Sequence, residues 1–345
     1  MKNIIQKIFD RHSLGTVLQV TSLKGGTFNS VYRVSTENKE YAIKIVADKQ
    51  KEVLTYEKGL IKTEVKVYGL LNNVDCIPQI YGYNYTDEYE YKYLIMDFIE
   101  GQTLNKTKLG KEEYDGVMYS LGRAMAEIHW GTGEGFGYMQ CGLKGTMREA
   151  YHFGYIFETI QAMCEVLKNK ATMSIEMREA YLSMTDNLIA DARRKVKDIP
   201  FSDRVRKVID KNISAFDGVS APVLTHFDLW GGNIIIKDNR LSALIDCERA
   251  MLGVPEGDFI SLDYLAPFDK EKSKALLEGY NSVASEKLTF EGDSLKRFYL
   301  MRLQLGLIVF TESHYRYARF TPMYIGSKLF GKKVIANALK QLEKI

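Results

Sequence analysis

The sequence predicts an α+β protein of two lobes, a small antiparallel β lobe over residues 1–99 and a larger, mainly helical lobe over residues 100–345. Three observations predict it. Residues 14 to about 99 carry four runs rich in β-branched and aromatic residues, separated by polar turn signals. After "EGQTL" the pattern changes to apolar residues at helical spacing. The length of 345 residues is enough for two lobes around a shared cleft.

The elements follow in order. "MKNIIQKIFDRHS" reads as a short amphipathic helix. "GTVLQVTSL", "SVYRVST", "EYAIKIV" and "YKYLIMDFI" read as strands, with "ENKE" and "TDEYEY" as turns. Leu60–Leu71, "LIKTEVKVYGLL", is a helix between them. A hinge is expected near residues 97–101. "EEYDGVMYSLGRAMAEIHW" (112–130) opens a helical series that runs to about residue 215. "NIIIK" and "LSALID" are short strands joined by "DNR", a hairpin pattern, and helices return from about Phe259.

Composition excludes several classes. A net charge of +3 gives no dense basic patch for nucleic acid or a membrane surface. Cys76, Cys141, Cys164 and Cys247 form no CxxC pair, which argues against a zinc site and fits a reducing compartment. Charges interrupt the N-terminal apolar run, and "LQLGLIVF" is too short to span a bilayer. A cytoplasmic protein, a monomer or weak dimer, is expected.

The chemistry concentrates in "VLTHFDLWGGNIIIKDNRLSALIDCE". Asn233 opens one hairpin strand and Asp246 closes the other, so an antiparallel pairing brings them together. Asp228 lies in the loop just before. Two carboxylates and an amide are oxygen donors that suit Mg²⁺, and an acidic group beside a substrate hydroxyl could orient it or accept its proton. That is the set of parts for phosphoryl transfer. Asp and Asn also do turn duty in loops. Chance, however, produces H-x-D-x4-N in only about one such chain in a hundred.

"HFDLWGGN" followed by "LIDCE" resembles the catalytic segment of the aminoglycoside phosphotransferase and choline kinase superfamily, small-molecule kinases with a protein-kinase-like bilobal fold. The resemblance implies Asp228 as the catalytic Asp, Asn233 and Asp246 as ligands of Mg²⁺, and His226 as a structural member of the loop. It also implies that Asp258, in "GVPEGDFISLDYL", braces that loop by accepting backbone N–H groups.

The first lobe should then hold ATP or GTP. "SLKGGTFNSVYRV" places Gly25 and Gly26 where backbone could approach phosphates, with Thr27, Asn29 and Ser30 as added donors. It is not GxGxxG, and an ordinary hairpin turn has the same look. Lys44 in "YAIKIV" resembles the phosphate-binding lysine of the V-A-I-K strand. Its helical partner would be Glu64, with Glu57 and then Glu52 as alternatives. "YLIMDFIEGQTL" resembles the hinge, where Met96 would back the base and the backbone of Asp97 and Ile99 would pair with it. His129 in "LGRAMAEIHW" fits a hydrogen-bonded core residue.

The missing A-P-E and long activation segment argue against a protein kinase and leave room for a small acceptor. Glu248, Glu256, Asp258, Asp263 and Asp269 could line an acidic wall for a cationic acceptor, an aminoglycoside or other amino-containing compound. Tyr264, Tyr299, Tyr315, Tyr317, Phe320 and Tyr324 could instead cage a quaternary ammonium such as choline. The expected function is Mg-dependent phosphotransfer to such a small molecule, with antibiotic resistance as one role. A choline-, ethanolamine- or sugar-type metabolite kinase and a silent pseudokinase are the alternatives.

Overall fold

A computed structural model describes residues 1–23, 29–46, 52–86, 89–130, 135–139, 173–174, 176–265 and 267–345. They form two compact units, neither continuous in sequence. The first comprises Met1–Lys51, Gly59–Leu109 and Gly231–Glu248. The second comprises Glu52–Lys58, Gly110–Trp230 and Arg249–Ile345.

The first unit is built on a five-stranded antiparallel sheet of β1 (Val17–Leu23), β2 (Asn29–Thr36), β3 (Glu40–Val46), β4 (Ile80–Asn84) and β5 (Tyr93–Asp97). Their order across the sheet is β1-β2-β3-β5-β4. The strand β4 has no counterpart in the sequence reading, because Gly82 and Asn84 break the apolar alternation that signals a strand. The period of two sorts β3 into two faces. Tyr41, Ile43 and Ile45 join a buried cluster with Val17, Val34, Tyr93 and Ile95. Ile5, Ile8 and Phe9 of the N-terminal helix α1 (Lys2–Arg11) close that cluster. A fully buried side chain of this size stabilises by about 1.5–3 kcal/mol, so α1 is part of the sheet's core. Ala42 and Lys44 occupy the other face of β3.

The helix α2 (Leu60–Leu70) lies against β4 and β5 and buries Ile61, Glu64, Val65 and Tyr68. A second, three-stranded sheet joins β6 (Gln102–Thr103), β10 (Ile234–Lys237) and β11 (Arg240–Leu244) in the order β11-β10-β6. Gly101 leads into β6 at a φ of +141°, and a Cβ there would lie 2.5 Å from the Ile236 carbonyl oxygen. Only glycine serves at that crossing.

The second unit is mainly helical. Its α-helices among the described residues are α3 (Lys111–Ile128), α4 (Met177–Arg193), α5 (Ser202–Asn212), α6 (Lys274–Val283), α7 (Gly292–Arg316) and α8 (Pro322–Leu342). A four-stranded sheet of β7 (Phe136–Tyr138), β8 (Met173–Ser174), β9 (Val223–Thr225) and β12 (Met251–Gly253) runs in the order β8-β7-β12-β9. The crossing of α3 and α6 depends on two glycines. A Cβ on Gly122 would meet the Leu276 carbonyl oxygen at 2.0 Å, and one on Gly279 would meet the Tyr119 carbonyl oxygen at 2.0 Å. Backbones this close leave no room for a methyl group. No helix among the described residues is long and apolar enough to cross a membrane.

Candidate active site

The predicted hairpin forms in the first unit. β10 and β11 pair antiparallel with Ile234 opposite Leu244, and the Ile245 N–H donates to the Asn233 carbonyl at 3.0 Å. Asn233 and Asp246 are therefore brought together at the open end of the hairpin. Asp246 sits at a φ of +68°, a left-handed conformation that costs a non-glycine residue about 1–3 kcal/mol. Its backbone N–H donates to the Tyr68 hydroxyl at 2.9 Å, which holds the turn from α2.

Lys44 gathers three carboxylates. Its Nζ donates to Glu64 Oε2 at 2.7 Å, to Asp246 Oδ1 at 2.7 Å and to Glu248 Oε2 at 2.6 Å. All three ammonium protons are thus used. Burial opposes the charge on Lys44, but Asp246, Glu248 and Glu64 together hold its pKa well above the usual lysine range. Burial pushes Glu64 up to about 7; the Lys44 charge opposes that rise, and Asp246 and Glu248 add to it. The sequence reading identifies Glu64 and Asp246 but not Glu248, which it assigns to an acidic wall. Asn29, at the start of β2, also reaches Glu248 through Nδ2 at 3.3 Å.

Oxygen atoms of Glu64, Asp246 and Glu248 lie within 4.8 Å of one another. A hard, oxygen-only donor set of this kind fits a small divalent cation. The Asp246 carboxylate is the most accessible of the three, with 39% of its side chain exposed.

The other nucleotide-site candidates fall as follows. Ser30 lies beside Asn29 on β2, opposite Ile45. Gly25, Gly26 and Thr27 lie outside the described residues. Met96 is buried on β5 opposite Ala42, and Asp97 ends that strand. The Asp97 carboxylate accepts from Lys39 Nζ at 2.8 Å, the Tyr81 hydroxyl at 3.0 Å and the Gln79 N–H at 3.0 Å. Ile99 follows two residues later. The alternatives to Glu64 are engaged elsewhere, in the second unit: Glu57 pairs with Arg316 at 2.8 Å, and Glu52 pairs with Lys195.

Asp228 belongs to the second unit. Phe227, just before it, takes a φ of +62°. That strained turn is held by one buried carboxylate. Asp258 accepts the His226 N–H at 3.0 Å and the Phe227 N–H at 2.6 Å, and its Oδ2 also meets His129 Nε2 at 2.9 Å. His129 Nδ1 in turn meets the Tyr280 hydroxyl at 2.9 Å. Burial alone would push the Asp258 carboxyl up, but His129, His226 and the Phe227 N–H hold it below the ordinary range. His226 is buried, and its Nδ1 accepts the Asp228 N–H at 3.3 Å. Both histidines therefore shape the loop.

Asp258→Ala is expected to cost about 3 kcal/mol or more, because two backbone N–H groups and His129 lose a charged acceptor. A carboxyl held below its unfolded pKa stabilises at neutral pH and loses that contribution on protonation. The gap between wild type and variant should therefore narrow as pH falls below about 4. Urea unfolding at pH 7 and at low pH checks this; a loss under 1 kcal/mol at pH 7 would remove the brace.

Asp228 faces Arg249, whose Nε stands 3.8 Å from Asp228 Oδ2. Arg249 donates through Nη2 to Glu312 of α7 at 2.7 Å. Sequence reasoning missed this pairing, since no local pattern links positions 63 residues apart. The nearby Tyr264 hydroxyl is pushed well up, first by burial and then by the Asp228 charge.

Three of the acidic-wall candidates are engaged elsewhere. Glu248 is on Lys44 and Asp258 is the brace. Glu256 is fully buried against Arg297, with Nη2 at 2.8 Å. Asp263 and Asp269 accept backbone N–H groups of the next turn, from Leu265 at 3.2 Å and from Glu271 at 3.0 Å. Several of the aromatic residues have partners of their own. The Tyr299 hydroxyl accepts the Phe268 N–H, the Tyr315 hydroxyl donates to the Asp191 carbonyl and Tyr324 meets His314. Phe320 is 85% exposed. Tyr299, Tyr315 and Tyr324 thus have partners within the helical unit, while Phe320 faces solvent.

Comparison with known proteins gives the chain a family and its fold a set of relatives. A model of the Phosphotransferase enzyme family matches residues 19–291. The "Probable ketoamine kinase" of Enterococcus faecium is 25% identical over 297 residues, 86% of this chain and 91% of its own. The streptomycin–ATP ternary complex of APH(2″)-IIa superposes with a TM-score of 0.59 at 16% identity, over 96% of this chain and 97% of that one. A thermostable mutant of aminoglycoside phosphotransferase APH(4)-Ia, in ternary complex with AMP-PNP and hygromycin B, gives a TM-score of 0.63 at 14% identity, over 99% and 98%. At these identities the solved structures establish the fold, an antiparallel sheet unit plus a helical unit of the kinase-like type. The family match takes in the strands, the hairpin and the loop that carry Lys44, Asp228 and Asp246, and on it the chain belongs to the phosphotransferase enzyme family, a small-molecule kinase that transfers phosphate to an alcohol group.

Proposed function

We propose that the protein moves the γ-phosphate of ATP or GTP, with Mg²⁺, to a hydroxyl of an amino-containing small molecule in the cytoplasm. The observation that carries this reading is the cluster of the buried Lys44 and Glu64 with the more accessible Asp246. In a protein that binds no phosphate, a buried ammonium held by two buried carboxylates and a half-buried third would mainly cost desolvation. In a kinase the same groups serve the donor. Lys44 would hold the α- and β-phosphates, with Glu64 fixing its position. Asn233 and Asp246 would hold Mg²⁺, which when bound neutralises charge on the transferring phosphoryl group.

Gly25, Gly26, Thr27, Asn29 and Ser30 would cover the phosphates, and Met96, Asp97 and Ile99 would border the base. Asp228 would orient the acceptor hydroxyl and take its proton. The new bond joins the acceptor oxygen to the γ-phosphorus, the bond from γ-phosphorus to the β–γ bridging oxygen breaks, and the nucleoside diphosphate leaves.

A ketoamine, a sugar bearing an amine beside its carbonyl, is the acceptor that the curated relative favours, since the match covers 91% of that protein. It falls within the amino-containing class. A choline cage draws no support from Tyr299, Tyr315 and Tyr324, whose hydroxyls go to separate partners. Release of nucleoside diphosphate, measured with ATP and with GTP against ketoamines, aminoglycosides, amino sugars, choline and nucleosides, tests the reading. We expect release with an amino-containing acceptor. Nucleotide binding without release on any acceptor would turn the protein into a pseudokinase.

A further inference from the structure

A buried ion network lies against the catalytic-loop carboxylate in the second unit. At its centre is Glu312 of α7, whose Oε1 accepts from Arg249 Nη2 at 2.7 Å, from Arg316 Nη2 at 2.7 Å and from the Tyr56 hydroxyl. Arg316 Nη2 also donates to Glu57 at 2.8 Å. These side chains are nearly all withdrawn from water; Arg249 exposes 10% and Glu312 7%. Two arginines balance two glutamates within the network. Asp228 adds a fifth charge, facing Arg249 at 3.8 Å, too long for a hydrogen bond and short enough for an ion pair.

That distance matters for a base. A guanidinium that closes on a carboxylate makes paired hydrogen bonds and occupies its lone pairs. A carboxylate that must receive a hydroxyl proton needs one oxygen open to it. A positive charge a few ångströms away still favours the ionised form that acts as base. Both needs are met if Arg249 is close to Asp228 but restrained from it.

We propose that Glu312 is a positioning residue for Asp228: it anchors the Arg249 guanidinium at ion-pair distance and stops it from closing on the oxygen that receives the acceptor's proton. The inference rests on the reading of Asp228 as the proton acceptor. Tyr56 and Arg316 fix Glu312 from two sides. Burial, with the negative charges of Glu312 and Glu57 added, raises the Tyr56 hydroxyl well above its ordinary range despite Arg249 and Arg316, so it stays a donor. Among the groups that face Asp228 are Arg249, with Glu312 behind it, the Tyr264 hydroxyl and His226, whose ring accepts the Asp228 N–H. Those that face Glu312 are Tyr56, Arg249, Arg316 and, through Arg316, Glu57.

The test compares Glu312→Gln, Arg249→Met and Arg249→Lys by the pH dependence of kcat/KM, with kcat and the nucleotide KM measured separately. In Glu312→Gln the anchor loses its charge and Arg249 closes on Asp228. We expect kcat to fall about tenfold, nucleotide KM to stay within about twofold, and the acidic limb to move to lower pH. In Arg249→Met the favouring charge is gone, and the acidic limb should move up by about one pH unit. Arg249→Lys should keep its limb near that of the wild type.

Opposite movement of the two limbs is a signature that loss of packing alone does not produce. Limbs that move together, or not at all, overturn the proposal. Should Arg249→Met not fold, Glu312→Gln decides alone, since it keeps volume and a hydrogen-bond acceptor. Asp228→Asn separates the two readings. Full activity in that variant removes the premise, whereas an inactive Asp228→Asn with unmoved limbs removes only the role of Glu312.

Discussion

Asp228→Asn is expected to lower turnover by roughly 10²-fold or more while nucleotide affinity changes only a few-fold. Phe227 is held in a left-handed turn by Asp258, so the residue after it is presented by a rigid backbone. Asn keeps the shape of Asp and its place on that backbone but cannot accept a proton as a carboxylate does. Lys44, Glu64, Asn233 and Asp246, the groups expected to serve the nucleotide, all belong to the other unit. The expected result is a protein that melts normally, binds nucleotide and does not turn over. Steady-state kinetics beside a nucleotide titration check it, and near-normal kcat would remove Asp228 from the chemistry.

Asp246→Asn should act on the other side of the reaction. The carboxylate holds one of the three hydrogen bonds of Lys44 and is the most accessible member of the oxygen cluster. An amide oxygen is a poorer donor to a hard cation than a carboxylate. The variant should lose the stimulation of nucleotide binding by Mg²⁺, a weakening on the order of 10²-fold at saturating metal, and turnover should fall with it. Titrations with and without Mg²⁺ measure this directly. Unchanged binding in both would take Asp246 out of the metal site. The two variants thus separate the roles: one leaves binding and removes turnover, the other removes binding first.

Much of the fold was legible because it is written in local patterns. Four of the five strands of the first sheet alternate or run apolar, and α2 and α3 begin and end within two residues of the predicted spans. The N-terminal helix was legible too, but its burial in the sheet core was not, since Ile5, Ile8 and Phe9 only say that some surface covers them. The strand β4 escaped because a glycine and an asparagine interrupt its pattern. At the site, the spacing of His226, Asp228 and Asn233 and the hairpin that follows were readable, because a hairpin dictates which of its residues become neighbours. The choice of Glu64 over Glu57 and Glu52 was a matter of helix facing, and the structure places Glu64 on Lys44.

What the sequence determined by itself is the set of chemical groups and their order along the chain: a lysine on a strand, a glutamate on a helix, and an aspartate, an asparagine and a second aspartate around a hairpin. Local hydrogen bonding and the periods of two and 3.6 suffice to place these on their elements. Only the tertiary structure decided that Glu248 joins Lys44 and is no part of an acceptor wall. It also decided that the Glu52–Lys58 segment packs with the helical unit, and that Glu312 of α7 stands behind Arg249. The physical reason is the same in each case. Charges buried far apart in sequence are paired by packing that fixes which surfaces meet, and no short-range pattern records that choice.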